Sequence, residues 1–115
     1  MAQPVGQMPF GKIYPLLVNK ALRKGRTREE ADAVICWMTG YTPADLARLA
    51  RTGLSYGDFS SGAPALHPAR TQITGKVCGV QVETIADPLE REIRRLDKLI
   101  DELAKGLPLE RILRR

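Results

Sequence analysis

Apolar residues recur along this chain at two different periods, and the change of period divides it. From Lys12 to Lys24 the positions Ile13, Leu16, Leu17, Ala21 and Leu22 follow helical spacing. Pro15 fits only the first turn of such a helix, so the pattern predicts a start near Ile13, with Gly25 closing the element. Ala31, Val34, Ile35 and Met38 repeat the spacing in a second helix. It opens at Thr27 with Glu30 three residues on, a capping box in which hydroxyl and carboxylate each take an orphan N–H, and Gly40 closes it. Thr42-Pro43 opens a third helix, with the threonine as N-cap and the proline at N1. Leu46, Leu49 and Ala50 face inward there, and Gly53 ends it. Residues 54–70 are rich in Ser, Gly and Pro and carry one short helical turn near Tyr56–Ser60.

The period then falls to two. Residues 73–77 and 80–84 alternate around Cys78-Gly79 and predict a tight hairpin, with Ile73, Val77, Val80 and Val82 as its packed face. Two strands alone are marginal, so the hairpin must lie on the helices or pair with another chain. Asp87-Pro88 is again an N-cap followed by proline, with Glu90 at N3, and predicts a helix from Pro88 to Lys105 with Gly106 beyond it. Leu89, Ile93, Leu96, Ile100 and Leu103 alternate steps of four and three, and Leu99 widens the seam. Glu90–Arg94, Lys98–Glu102 and Asp101–Lys105 sit four apart on the solvated sides. A short helix over 108–114 presents Ile112 and Leu113. Residues 1–9, with Pro4, Gly6 and Pro9 and no periodicity, read as a loose tail, which leaves 10–115 as one domain. The fold class is α+β and predominantly α: about five helices, one small β-hairpin, and a long C-terminal helix as the spine. The width of the 89–103 seam favours core over a coiled-coil interface; homo-oligomerisation through the C-terminal helix is its competing use.

Composition agrees with a packed domain. The chain has 115 residues, 43% apolar and 27% charged, enough to bury roughly two-thirds of its unfolded surface. No apolar run reaches bilayer length, so no membrane span is expected. The first nine residues lack the charged and apolar regions of a secretion signal, so the expected location is cytoplasmic. There, Cys36 and Cys78 are expected to be reduced, buried and structural.

Charge adds a second theme. The net charge is +5, and residues 87–115, with eight basic and seven acidic side chains, account for +1 of it. Lys20, Arg23, Lys24, Arg26 and Arg28 crowd into nine positions, either as a solvated helix end or as a site for phosphate. The helices 28–39 and 43–51, joined by Thr39-Gly-Tyr-Thr42, are spaced like a helix-turn-helix whose second member presents Thr42, Asp45, Arg48 and Arg51. In that reading Lys24, Arg26, Arg28, Arg48 and Arg51 are the candidate nucleic-acid contacts, with Asp45 opposing phosphate at the reading end.

Catalytic signals are thin. The sole histidine, His67, stands beside Arg70 in a proline-flanked loop, the one candidate pocket. No local signature pairs it with Cys36 or Cys78 as a nucleophile. One histidine and two cysteines are too few for structural zinc, and neither GxxxxGK[ST] nor GxGxxG occurs, so no metal or cofactor is expected.

Several segments carry a resemblance: Ile13-Tyr14-Pro15, Lys24-Gly-Arg-Thr27, Trp37-Met-Thr-Gly-Tyr41, Ala63-Pro64, Cys78-Gly-Val-Gln-Val-Glu83 and Leu96-Asp-Lys-Leu-Ile-Asp-Glu-Leu-Ala-Lys-Gly106. On these the chain resembles the bacterial family of domain of unknown function 2200, from about Phe10 to Leu113. The family pattern has Asn before the proline where this chain has His67, a departure that weakens a catalytic role for the histidine. The resemblance implies a small bacterial protein and brings no activity with it. The expected function is a non-catalytic binding or interaction module, ahead of a helix-turn-helix-like nucleic-acid-binding regulator and a small enzyme built around His67 and Arg70.

Overall fold

The computed structural model describes residues 5–77 and 79–113. Six helices follow one another: α1 (Phe10–Leu22), α2 (Arg28–Thr39), α3 (Pro43–Leu49), α4 (Tyr56–Ser61), α5 (Pro88–Ala104) and α6 (Leu109–Ile112). One antiparallel pair, β1 (Lys76–Val77) and β2 (Val80–Gln81), lies between α4 and α5. The class is α+β and mostly α, with near-equal dimensions of 32 × 31 × 29 Å.

The local chemistry of the helix starts operates as the sequence dictates. Thr27 and Glu30 form both hydrogen bonds of a capping box, and Thr42 and Asp45 form a second one. Asp87 accepts from the Leu89 N–H. Gly40 closes α2 at φ +82°, and a Cβ there would lie 2.8 Å from Ala65, so both backbone shape and space require glycine. α3 ends earlier than expected, at Leu49.

α1 departs most from expectation. It begins at Phe10, not Ile13, and Pro15 lies inside it. Pro15 is on the solvent side, where a carbonyl deprived of its helical donor can be met by water. The buried stripe is Phe10, Ile13, Tyr14, Leu17, Val18 and Ala21, while Leu16 and Leu22 are 58% and 48% exposed. Residues 8–10 explain the shift. The Phe10 N–H donates to the Leu54 carbonyl and the Tyr56 N–H to that of Met8, so the segment expected as a tail is tied along residues 54–56. Val5–Gln7 forms a 3-10 turn against α4 and α5. Residues 1–4 lie outside the described residues.

α5 is the spine, in contact with α1, α2, α4, α6 and β1. Ile93, Leu96, Leu99, Ile100 and Leu103 are all buried, so the seam is core. Above it Phe10 stacks between Tyr14 and Phe59, with ring centroids 5.4 and 3.9 Å away, and Phe59 stacks on Tyr41. The hairpin is shorter than the expected 73–77 and 80–84: Ile73 caps the preceding 3-10 turn, and Val82–Thr84 leaves β2 as another. Ile73, Val77 and Val82 are still buried, but Val80 is 39% exposed because β1 faces α5 and β2 is the outer edge. Cys78 lies outside the described residues. Asp101 takes Lys105 as its spacing predicts, and also Lys20 of α1, whereas Arg94 turns to Asp97 rather than Glu90.

Gly11 carries a measurable consequence of this packing. A Cβ built on it would fall 2.2 Å from the Ala50 carbonyl oxygen, so the end of α3 is seated on bare α1 backbone. In an open helix Gly→Ala stabilises by helix propensity. Here Gly11→Ala should instead lower stability by about 1–3 kcal/mol through overpacking, read as a reduced urea midpoint. An unchanged or raised midpoint would show that α3 does not rest there.

Candidate functional site

The five basic candidates fall into two groups. Lys24, Arg26 and Arg28 surround the turn from α1 to α2. Arg48 and Arg51 lie at the end of α3, beside the Ala50 backbone that sits on Gly11. Gly11 and Lys24 are separated by almost the whole of α1, about 20 Å along its axis. The helix-turn-helix reading therefore draws its contacts from both ends of α1.

Within the first group the side chains differ in freedom. Arg26 donates to Glu30 at 2.6 Å and is only 17% exposed. The Glu30 carboxyl is held below its usual range, first by the Thr27 backbone N–H and then by Arg26. Arg28 lies over the Tyr14 ring, 5.4 Å from its centroid, and donates to its hydroxyl at 3.3 Å. Tyr14 in turn donates to Asp32, so this contact clamps α1 to α2. Lys24 is exposed and makes no ion pair with a described residue. In the second group Arg48 pairs with Asp45 at 3.2 Å. The Asp45 carboxyl, lowered first by the Thr42 N–H and then by Arg48, occupies the N-terminus of α3. The end of α3 that would meet base edges thus already holds an anion. Arg51 is exposed beyond the helix.

Lys12, together with Arg23 of the basic run, extends the first group. The signal was present in the sequence: six cations and no acidic residue occur through Arg28, giving +6, and the remaining 87 residues sum to −1. Lys12, Leu16, Asn19 and Arg23 recur at i, i+4, i+7 and i+11, so they form one stripe along α1, and all four are exposed. Among the described residues neither Lys12 nor Arg23 has an ionic partner. This face mixes free cations with the two exposed leucines, Leu16 and Leu22.

His67 and Arg70 do come together, but in a structural role. His67 caps the 3-10 turn Pro68–Gln72, its Nδ1 accepting from the Ala69 N–H at 3.1 Å. Its ring stacks on Trp37 of α2 at 4.2 Å between centroids, and its backbone N–H donates to the Met38 carbonyl. Arg70 donates to the His67 carbonyl at 3.0 Å and to Glu92 of α5, which also accepts from Arg95. The pair ties the 62–72 loop to α2 on one side and α5 on the other. Asparagine in this position would offer its side-chain oxygen for the same cap before proline, one acceptor replacing another. Trp37 is the partner that sequence spacing could not supply.

Cys36 is half-buried and free. Burial, with lesser contributions from Asp32 and Asp45, pushes its thiol up to about 11, away from the range of a working nucleophile. Among the described residues no three His, Cys, Asp or Glu side chains group as metal ligands, and no helix is long and apolar enough to cross a membrane.

Residues 4–114 match the family model described as uncharacterized protein conserved in bacteria (DUF2200), and the chain belongs to this family. The crystal structure of uncharacterized protein SP1917 superposes with a TM-score of 0.91 at 45% sequence identity, covering 98% of this chain and 93% of that one. No curated protein matches the chain.

Two outcomes follow from the local chemistry. His67→Ala should be less stable than His67→Asn by about 1 kcal/mol in denaturant titration, since both lose the stack on Trp37 and only alanine loses the cap. Equal stability would remove the capping role. In a Cys78→Ser chain at pH 8, native Cys36 should react with a thiol-specific disulfide reagent about 100-fold more slowly than after unfolding, because the folded thiol is so largely protonated. Equal rates would show that the burial has no such effect.

Proposed function

We propose that this protein is a non-catalytic interaction module that engages an acidic protein partner through the exposed face of α1 and the turn into α2. The observation that carries this reading is the free Lys12, Arg23 and Lys24 beside Leu16 and Leu22, in a segment without acidic residues. Clustered cations raise the on-rate and select an anionic partner; exposed leucines add apolar contact that a phosphate backbone would not use. His67 and Arg70, the residues best suited to proton transfer or anion binding in the loop, are engaged in capping and in the ionic bridge to Glu92, which supports binding over catalysis.

A matched pair of charge reversals tests the assignment. Arg23→Glu/Lys24→Glu and Arg48→Glu/Arg51→Glu change net charge equally at opposite ends of α1. Retention on immobilised poly-glutamate should weaken with salt, fall about tenfold or more in the first variant and change little in the second. Equal losses would reduce the effect to net charge and end the proposal. Duplex DNA binding abolished by the second variant alone would establish the helix-turn-helix reading instead.

A further inference from the structure

The 3-10 turn Val5–Gln7 crosses α4 so closely that a Cβ on Gly57 would lie 2.9 Å from the Gly6 carbonyl oxygen and 3.3 Å from Leu89. Beside this crossing, between the turn, α4 and the first two turns of α5, runs a groove of about 740 Å³, a volume typical of small-ligand sites. Leu89 and Ile93 form an apolar wall. Asp58 of α4, and Asp87 and Glu90 at the start of α5, are exposed on its lining, and none of the three carboxylates has a cationic partner among the described residues. Arg94, one turn beyond Glu90, also lines it. Its guanidinium is anchored to Asp97 at 3.3 Å through one nitrogen, while its Nε–H is buried and finds no acceptor.

We infer that this groove binds a zwitterionic amino-acid ligand, a free apolar amino acid or a short peptide. The complementarity is threefold. A ligand carboxylate pairs with the terminal guanidinium nitrogen of Arg94 that Asp97 does not take. A ligand ammonium sits against the two carboxylates of Asp58 and Glu90. An apolar side chain lies along Leu89 and Ile93. Glu90 and Arg94, four apart on one helix, are spaced to pair with each other and do not; the ligand's two charges then engage both. This site is separate from the basic face of α1 and does not depend on its assignment.

The test is an amide NMR titration of the full chain with L-leucine and with L-leucyl-L-leucine, each to about 10 mM, the weak end of specific small-ligand affinity. Saturable shifts confined to the turn at 5–7, α4 and the start of α5 are expected for at least one of them, and the stronger of the two identifies the source as free amino acid or peptide. N-acetyl-L-leucine and L-leucinamide, each lacking one charge, should bind about tenfold or more weakly. Asp58→Asn/Glu90→Gln, at two exposed and unpaired positions, should weaken binding by a similar factor. Arg94→Gln should weaken it too, but its loss also strands Asp97, so the exposed pair is the decisive variant. The inference is overturned if neither zwitterion gives saturable shifts in this region, or if the acetylated and amidated forms bind as well as leucine.

Discussion

The fold depends on burying one wide apolar face, that of α5. Five of its side chains lie at or below 3% exposure, and α1, α2 and α4 each contribute the surface that covers them. Full burial of a Leu or Ile contributes roughly 1.5–3 kcal/mol, so this seam is worth several times the stability of any cap or surface ion pair in the molecule. The aromatic stack from Tyr14 through Phe10 to Phe59 closes the other side of the same core. Polar links then fix orientation. Tyr14 with Asp32 sets α1 against α2, Lys20 with Asp101 sets α1 against α5, and Glu92 gathers Arg70 and Arg95.

What could be read from the sequence was local. Thr27 with Glu30, Thr42 with Asp45 and Asp87 with Pro88 mark helix starts because the donor and acceptor of each cap lie within three residues. The α5 seam was legible because six apolar positions share one period. The start and face of α1 were not. Pro15 argues for a first turn, and only the pairing of residues 8–10 with 54–56, remote in sequence, carries the helix back to Phe10 and rotates Leu16 and Leu22 outward. The choice of Asp97 over Glu90 by Arg94 was likewise decided by tertiary surroundings, since both spacings are acceptable on a helix.

The same division holds for the candidate sites. His67 and Arg70 are neighbours in sequence, so their proximity was visible; the stack on Trp37 and the bridge to Glu92, which give them structural roles, come from helices elsewhere. The charge asymmetry at Arg28 was present in composition, while its presentation on one exposed stripe needed the true rotation of α1. The groove could not be read at all, because Asp58 and Arg94 stand more than thirty residues apart in sequence. Two surfaces of opposite character result: a cationic helix face with two exposed leucines, and a groove lined by carboxylates and one arginine.

The long separation between α1 and α5 also shapes how the molecule comes into being. Sixty-five residues lie between Leu22 and Pro88. At roughly 5–20 residues per second, a nascent chain carries the bare apolar stripe of α1 for about 3 to 13 seconds before its cover is synthesised. During that interval the segment is cationic and apolar at once, next to the polyanionic surface of the ribosome. The lack of acidic residues in α1 therefore has a bearing on birth: like charge along the segment keeps two such bare stripes apart until α5 arrives to cover them.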